Sequence, residues 1–131
     1  PLLDRIDIHI DVPALRFEEL HGTQPDGPGS TEVRQQVQAA RDRQRARING
    51  KHVWNAYLDT PLMRKHCVLD SDARDLLEIA VVKMGFSARA HDKVLRVART
   101  LADLEDKEHI QAHHISEAVQ YRSLDKEYFA S

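Results

Sequence analysis

The chain has 131 residues, 41% of them apolar and 31% charged, with 19 Lys and Arg against 21 Asp and Glu and a formal net charge of −2. That is room for one domain of ordinary size, or one domain plus a tail. It excludes a wholesale polyanion binder, so any nucleic-acid role must be local. A single cysteine, Cys67, excludes an internal disulfide framework and a cysteine-rich zinc site.

Ile6, Ile8, Ile10 and Val12 alternate with Asp7, His9 and Asp11, which predicts a strand with one apolar face, ended by Pro13. A lone strand cannot bury that face or satisfy its own backbone. Because the chain opens on Pro1 and runs straight into this pattern, it is expected to be a piece of a longer protein. Residues 21–30, HGTQPDGPGS, hold three Gly and two Pro and predict a flexible linker. Residues 1–30 are accordingly expected to be mobile.

Helical patterns follow. Ser30 or Thr31 opens the first, Val33, Val37, Ala40 and Ile48 keep helical spacing, and Asn49-Gly50 stops it. Residues 51–58 are irregular, with Trp54, Tyr57 and Leu58 as expected anchors. Thr60 as N-cap with Pro61 behind it starts a short helix that runs to about Cys67. Asp70 caps the next, which carries Ala73, Leu76, Leu77, Ala80, Val81 and Met84 on one face and ends at Gly85. Ser87 caps the longest, with Ala90, Val94, Val97, Ala98, Leu101 and Leu104 inward. A last helix covers about 112–123. The expected fold is all-α, a bundle of four or five helices behind one stray β-strand and a linker. No apolar run approaches the roughly 18–20 residues of a membrane span.

The chemistry is sparse. GxxxxGK[ST], GxSxG and HExxH are all absent. His113 and His114 are adjacent on a helix, about 100° apart, and are expected not to chelate one metal together. His109 and His113 are four apart and could pair on a helix, but His109 is expected to precede it and no carboxylate is placed as a third ligand. No metal site is expected. Arg89 lies in the first turn of the Ser87 helix, where the dipole favours anions, and this geometry suits a phosphate. Arg96 falls nearly on the same face, and Asp92 and Asp103 lie on the polar side. Arg34, Arg41 and Arg45 fall within about 40° of one another on the first helix. That stripe suits a phosphate backbone or an acidic neighbouring subunit, but with no interleaved aromatic it is not expected to stack bases.

LLDRIDIHIDVP (2–13), SARAHDKVLRVARTLADL (87–104) and IQAHHISEAVQYR (110–122) resemble the C-terminal part of magnesium-chelatase-like AAA+ ATPases of the ComM/YifB type. The resemblance implies that residues 1–20 are the truncated end of an α/β ATPase core, 21–30 a linker, 31–124 a helical lid and 125–131 a tail. It implies that Arg5 is an arginine finger acting in trans and that Arg89 is a sensor 2 arginine reaching the nucleotide in cis. Phosphoryl transfer needs positive charge aimed at the developing negative charge, so both roles are physically sensible. The chain departs from the family at His91-Asp92, where an aromatic and then a basic residue are usual. ATP and Mg2+ are implied for the full-length protein and none for the isolated chain, which lacks the Walker motifs and should not hydrolyse ATP. The implied partners are the protein's own core and neighbouring subunits of a homo-oligomeric ring, a hexamer, with DNA as a possible substrate, in the cytoplasm and away from membranes. The isolated chain is expected to be monomeric. The alternative is a stand-alone helical module that binds nucleic acid or protein through Arg34, Arg41 and Arg45.

Overall fold

The computed structural model describes residues 5–10, 29–48, 50 and 53–122. Among the described residues five α-helices follow one another: α1 (Ser30–Arg47), α2 (Thr60–His66), α3 (Ser71–Met84), α4 (Ala88–Leu104) and α5 (Ala112–Gln120). A single 3-10 turn, Asn55–Tyr57, sits between α1 and α2.

Local chemistry sets most of the boundaries. The Asp70 carboxylate accepts the Ala73 N–H at 2.8 Å, and the Ser87 hydroxyl accepts the Ala90 N–H at 3.1 Å. The cap of α2 is Asp59 rather than Thr60: its carboxylate takes the Leu62 N–H at 3.1 Å, and Thr60-Pro61 form the first turn. Gly85 closes α3 in the left-handed region at φ +61°. The helix α4 is the centre of the bundle, packed against α1, α2, α5 and the 3-10 turn, while α3 packs on α5. Ala90, Val94, Ala98 and Ala102 make its buried stripe, and their small size lets neighbouring helices come close. Leu58, Met63, Leu77, Ile110 and Ile115 fill in around them. Leu104 and Tyr57, expected inside, are exposed. The loops join through one parallel bridge, with the Ile110 N–H donating to Val68 O at 2.9 Å and the Asp70 N–H to Ile110 O at 3.1 Å.

The N-terminal expectation is corrected. Residues 5–10 form no strand, because no second strand stands beside them among the described residues. They lie instead on the helices. The His9 N–H donates to Tyr121 O at 2.6 Å, Arg122 donates to Ile6 O, and Lys93 Nζ donates to the Asp7 carboxylate at 2.6 Å. The facing is inverted as well: His9 is buried while Ile6, Ile8 and Ile10 point outward. Residues 11–28, which include the end of the expected strand and nearly all of the expected linker, lie outside the described residues, as do 1–4 and 123–131.

Charge is buried where the sequence suggests surface. Asp103, expected on the polar side of α4, is enclosed by Arg47, Arg99 and the Asn55 amide, which donates to it at 2.9 Å. Arg99 also donates from its two terminal nitrogens to carbonyls, His66 O at 3.0 Å, Glu108 O at 2.6 Å and Lys107 O, while its Nε has no partner among the described residues. Burial pulls the Arg99 guanidinium below its ordinary value, and the Asp103 charge opposes that pull. This network binds α1, the 3-10 turn, α4 and the loop after α4 to one another. It is structural.

Candidate functional site

Arg5 and Arg89 are remote in sequence and share one open depression of about 760 Å3. Arg89 is placed by the Ser87 cap, which fixes the start of α4 and leaves the arginine exposed in its first turn. Arg5 is placed by the docked N-terminal segment. Lys93 and Arg96, one and two turns of α4 further on, complete a basic lining. Neither is loose: Lys93 holds Asp7, and Arg96 donates from Nε and Nη2 to Leu58 O at 3.0 and 2.8 Å. Asp92 is the one carboxylate in the lining, and it faces His91 Nδ1 at 3.1 Å. A pairing of Asp92 with Arg96 is absent among the described residues. The depression therefore joins a helix N-terminus to four cationic side chains, an arrangement that suits phosphate. With a single, already engaged carboxylate, it offers a Mg2+ ion no ligand set.

The five arginines of α1 divide into two groups. Arg43 and Arg47 turn inward: Arg43 donates to Asp103 O and pairs with Asp106 at 3.0 Å, while Arg47 holds Asn55 and Asp103. Arg34, Arg41 and Arg45 face solvent. The expectation that no aromatic accompanies this stripe is overturned. The Arg41 and Arg45 guanidinium carbons lie 5.7 and 5.3 Å from the Trp54 ring centroid. The chain turns back after α1, and the 3-10 turn sets Trp54 beside the helix it has just left.

His113 and His114 also depart from expectation. Although adjacent on α5, both reach the Glu105 carboxylate, each with Nε2 at 2.7 Å from Oε2. Three potential ligand atoms thus gather within 4.8 Å of one another. The sequence gives no sign of this carboxylate, because Glu105 follows α4 and meets α5 only through the turn between them. The protonation pattern nevertheless opposes a metal. His114 Nδ1 accepts the Gln111 backbone N–H at 2.9 Å and caps α5, so in the neutral ring the proton sits on Nε2. That Nε2–H donates to Glu105 and has no lone pair for a cation. Donation from His113, then His114, holds the Glu105 carboxyl below its ordinary value.

Comparison with known proteins now bears on the chain as a whole. The family described as "Magnesium chelatase, subunit ChlI C-terminal" matches residues 27–122. The chain belongs to this family. It is 39% identical to YifB of Escherichia coli K12 over 126 residues, 96% of this chain and 24% of that protein. It is 39% identical to the competence protein ComM of Haemophilus influenzae over 124 residues, 95% of this chain and 24% of that one. It is 34% identical to Rv2897c of Mycobacterium tuberculosis over 124 residues, 93% and 24% respectively. The chain thus spans about a quarter of the length of the curated relatives it matches. The expected all-α helical domain of this family is the one observed.

Proposed function

We propose that this chain is the lid module of a ComM/YifB-type AAA+ ATPase and that it presents Arg5 and Arg89 to the phosphates of bound ATP. The observation that carries this reading is the shared depression. A guanidinium delivered by the N-terminal segment and another at the start of α4 line one basic concavity. A γ-phosphate there meets forked donors and a helix N-terminus at once. ATP is held by residues other than these, since the chain has no Walker A motif. Mg2+ likewise takes its ligands elsewhere.

The shared concavity favours one nucleotide for both arginines. The resemblance assigns Arg5 to a neighbour's ATP and Arg89 to its own subunit's; the geometry favours the same side for the two. In a ring, here read as a hexamer, both then act across the subunit interface. Hydrolysis in one subunit thereby senses the seating of the next subunit's lid. One relative is named a competence protein, and we extend that process to this chain: ATP-driven handling of DNA in transformation and recombination, in the cytoplasm. No described helix is long and apolar enough to cross a membrane.

The test uses the full-length protein. Arg5→Ala abolishes ATP hydrolysis while the ring still assembles, and Arg89→Ala lowers turnover or nucleotide affinity. Each variant is then mixed with a Walker-A-dead partner, whose own arginines are intact. Recovery in both mixtures is the expected result. Recovery with Arg5→Ala alone returns Arg89 to a cis role. Wild-type turnover in Arg89→Ala removes the assignment.

A further inference from the structure

We propose that α1 and Trp54 form a binding site for single-stranded nucleic acid, separate from the phosphate depression and independent of ATP. Three observations converge on it. The first is commitment. Arg43 and Arg47 are engaged with Asp103, Asp106 and Asn55, whereas Arg34 and Arg41 have no acceptor among the described residues. Arg45 lies 3.9 Å from Asp42, too far for a hydrogen bond, and that carboxylate accepts from Gln38 Nε2 at 2.9 Å.

The second is preorganisation. Arg41 and Arg45 rest against the Trp54 indole. A stacked guanidinium keeps its in-plane N–H donors free, so the indole fixes two long side chains and leaves their forks for phosphate. At 1.5 Å rise per residue the two arginines stand about 6 Å apart along the helix, with Arg34 about 10 Å beyond Arg41. A line of cations suits a polymer with regularly spaced charge. The neighbourhood agrees: α1 carries five arginines against Glu32 and Asp42.

The third is the adjoining trough, about 460 Å3, walled by Val37, Ala40, Trp54 and Leu104 with Arg41 at its rim. It is a flat apolar slot beside a phosphate clamp, which is what an unstacked base attached to its backbone requires. A duplex hides its bases and an acidic peptide has no use for the slot, so the single strand fits best. The polar groups at the floor are largely engaged with one another. Gln44 Oε1 accepts the Asn55 backbone N–H at 2.9 Å, and Asn55 Nδ2 donates to Thr100 and Asp103, both at 2.9 Å. The slot therefore offers stacking surface rather than base-edge readout, and binding is sequence-tolerant.

Trp54 is the only tryptophan, so its emission reports the site directly. The chain is titrated at low salt with a 12-nucleotide oligothymidylate, following Trp54 emission and the anisotropy of a labelled copy, with no ATP present. Expected are a saturable change in Trp54 emission and a log–log salt slope of about −2, from ~0.7 per phosphate for three arginines. Arg41→Ala with Arg45→Ala weakens binding about tenfold or more, and Arg64→Ala, exposed on α2, leaves it unchanged. Far-UV circular dichroism checks that the helices persist, and Arg41→Lys with Arg45→Lys, which keeps the charge, retains the salt slope at lower affinity. No saturable change overturns the proposal. Equal binding of a duplex overturns the base slot, and equal binding of polyglutamate reassigns the surface to an acidic protein partner. Because no nucleotide triphosphate takes part, none of these outcomes depends on the role of Arg5 or Arg89.

Discussion

The Arg99 guanidinium lies 3.2 Å from the Asp103 carboxylate, with both side chains 1% exposed. The pair sits one helical turn apart on α4, and each partner also reaches across to other elements. Asp103 is the shared acceptor for Arg47 and Asn55, while Arg99 ties the end of α2 to the loop before α5. Removing one partner of a buried pair leaves the other charged and desolvated. Asp103→Ala is expected to cost about 3–5 kcal/mol, read as a lower urea midpoint at unchanged m-value. A cost below about 1 kcal/mol would mean that water reaches Arg99 and Arg47 easily.

Much of the bundle is legible in the sequence because its signals are local. Asp70, Ser87 and Gly85 mark helix ends by bonds that span three or four residues, and the 3.6-residue period shows the inner faces of α3 and α4. What escapes is set by contacts between distant residues. Asp103 is polar by type and is buried only because Arg47, on another helix, meets it. Trp54 joins Arg41 and Arg45 only after the chain reverses. Period two at residues 6–10 predicts a strand, but a strand needs a neighbour, and here the backbone bonds to Tyr121 and Arg122 instead. Residue types suggested the basic stripe and Arg89. That Arg5 shares a depression with Arg89 is a fact of the tertiary fold.

Cys67 closes α2 and is buried in the core. Burial pushes its thiol up from 9.0 to about 11, against the opposing field of Arg99 and Arg47. At pH 8 the native thiolate fraction is then about a hundredfold below that of an unperturbed thiol. Labelling by a thiol reagent is expected to be slow in the native protein and fast in urea. Because the folded value is raised, the contribution of this group to stability is full below pH 9.0 and is lost as pH rises toward about 11. A Cys67→Ala variant should lack that alkaline component. Native labelling as fast as in urea would place the thiol outside the core.

Gly85 closes α3 at φ +61°, and a Cβ built there meets nothing within 4 Å. The cost of Gly85→Ala is therefore one of backbone conformation alone, about 1–2 kcal/mol, and the cap bond from Gly85 N–H to Val81 O is retained. Gly85→Asn, which tolerates the left-handed region better, should recover part of the loss. Thermal melts of the two variants against wild type give the comparison. Equal melting temperatures for all three would mean that the turn relaxes out of the left-handed region.

The Glu105 cluster separates two chemistries that share the same atoms. If His114 bound a metal through Nε2, its neutral ring would carry a proton on Nδ1, pointed at the Gln111 N–H that now donates to it. The α5 cap and the metal are thus mutually exclusive. Zn2+ is expected to leave the melting temperature unchanged; a saturable stabilisation would show that the cap is surrendered and the ring reversed. The acid side gives an independent check. The Glu105 carboxyl is depressed from 4.5, by hydrogen bonds from His113 first and His114 second. A depressed carboxyl contributes stability above its unfolded value, and that contribution is lost as pH falls through the folded one. The stability difference between wild type and Glu105→Gln should therefore be steady above about pH 4.5 as far as this carboxyl is concerned, and shrink below it. Because Glu105 is half exposed, the difference is small and is best read from paired urea titrations at several pH values. A difference that persists unchanged at the lowest pH would assign the effect to the lost side-chain packing of Glu105 rather than to its charge.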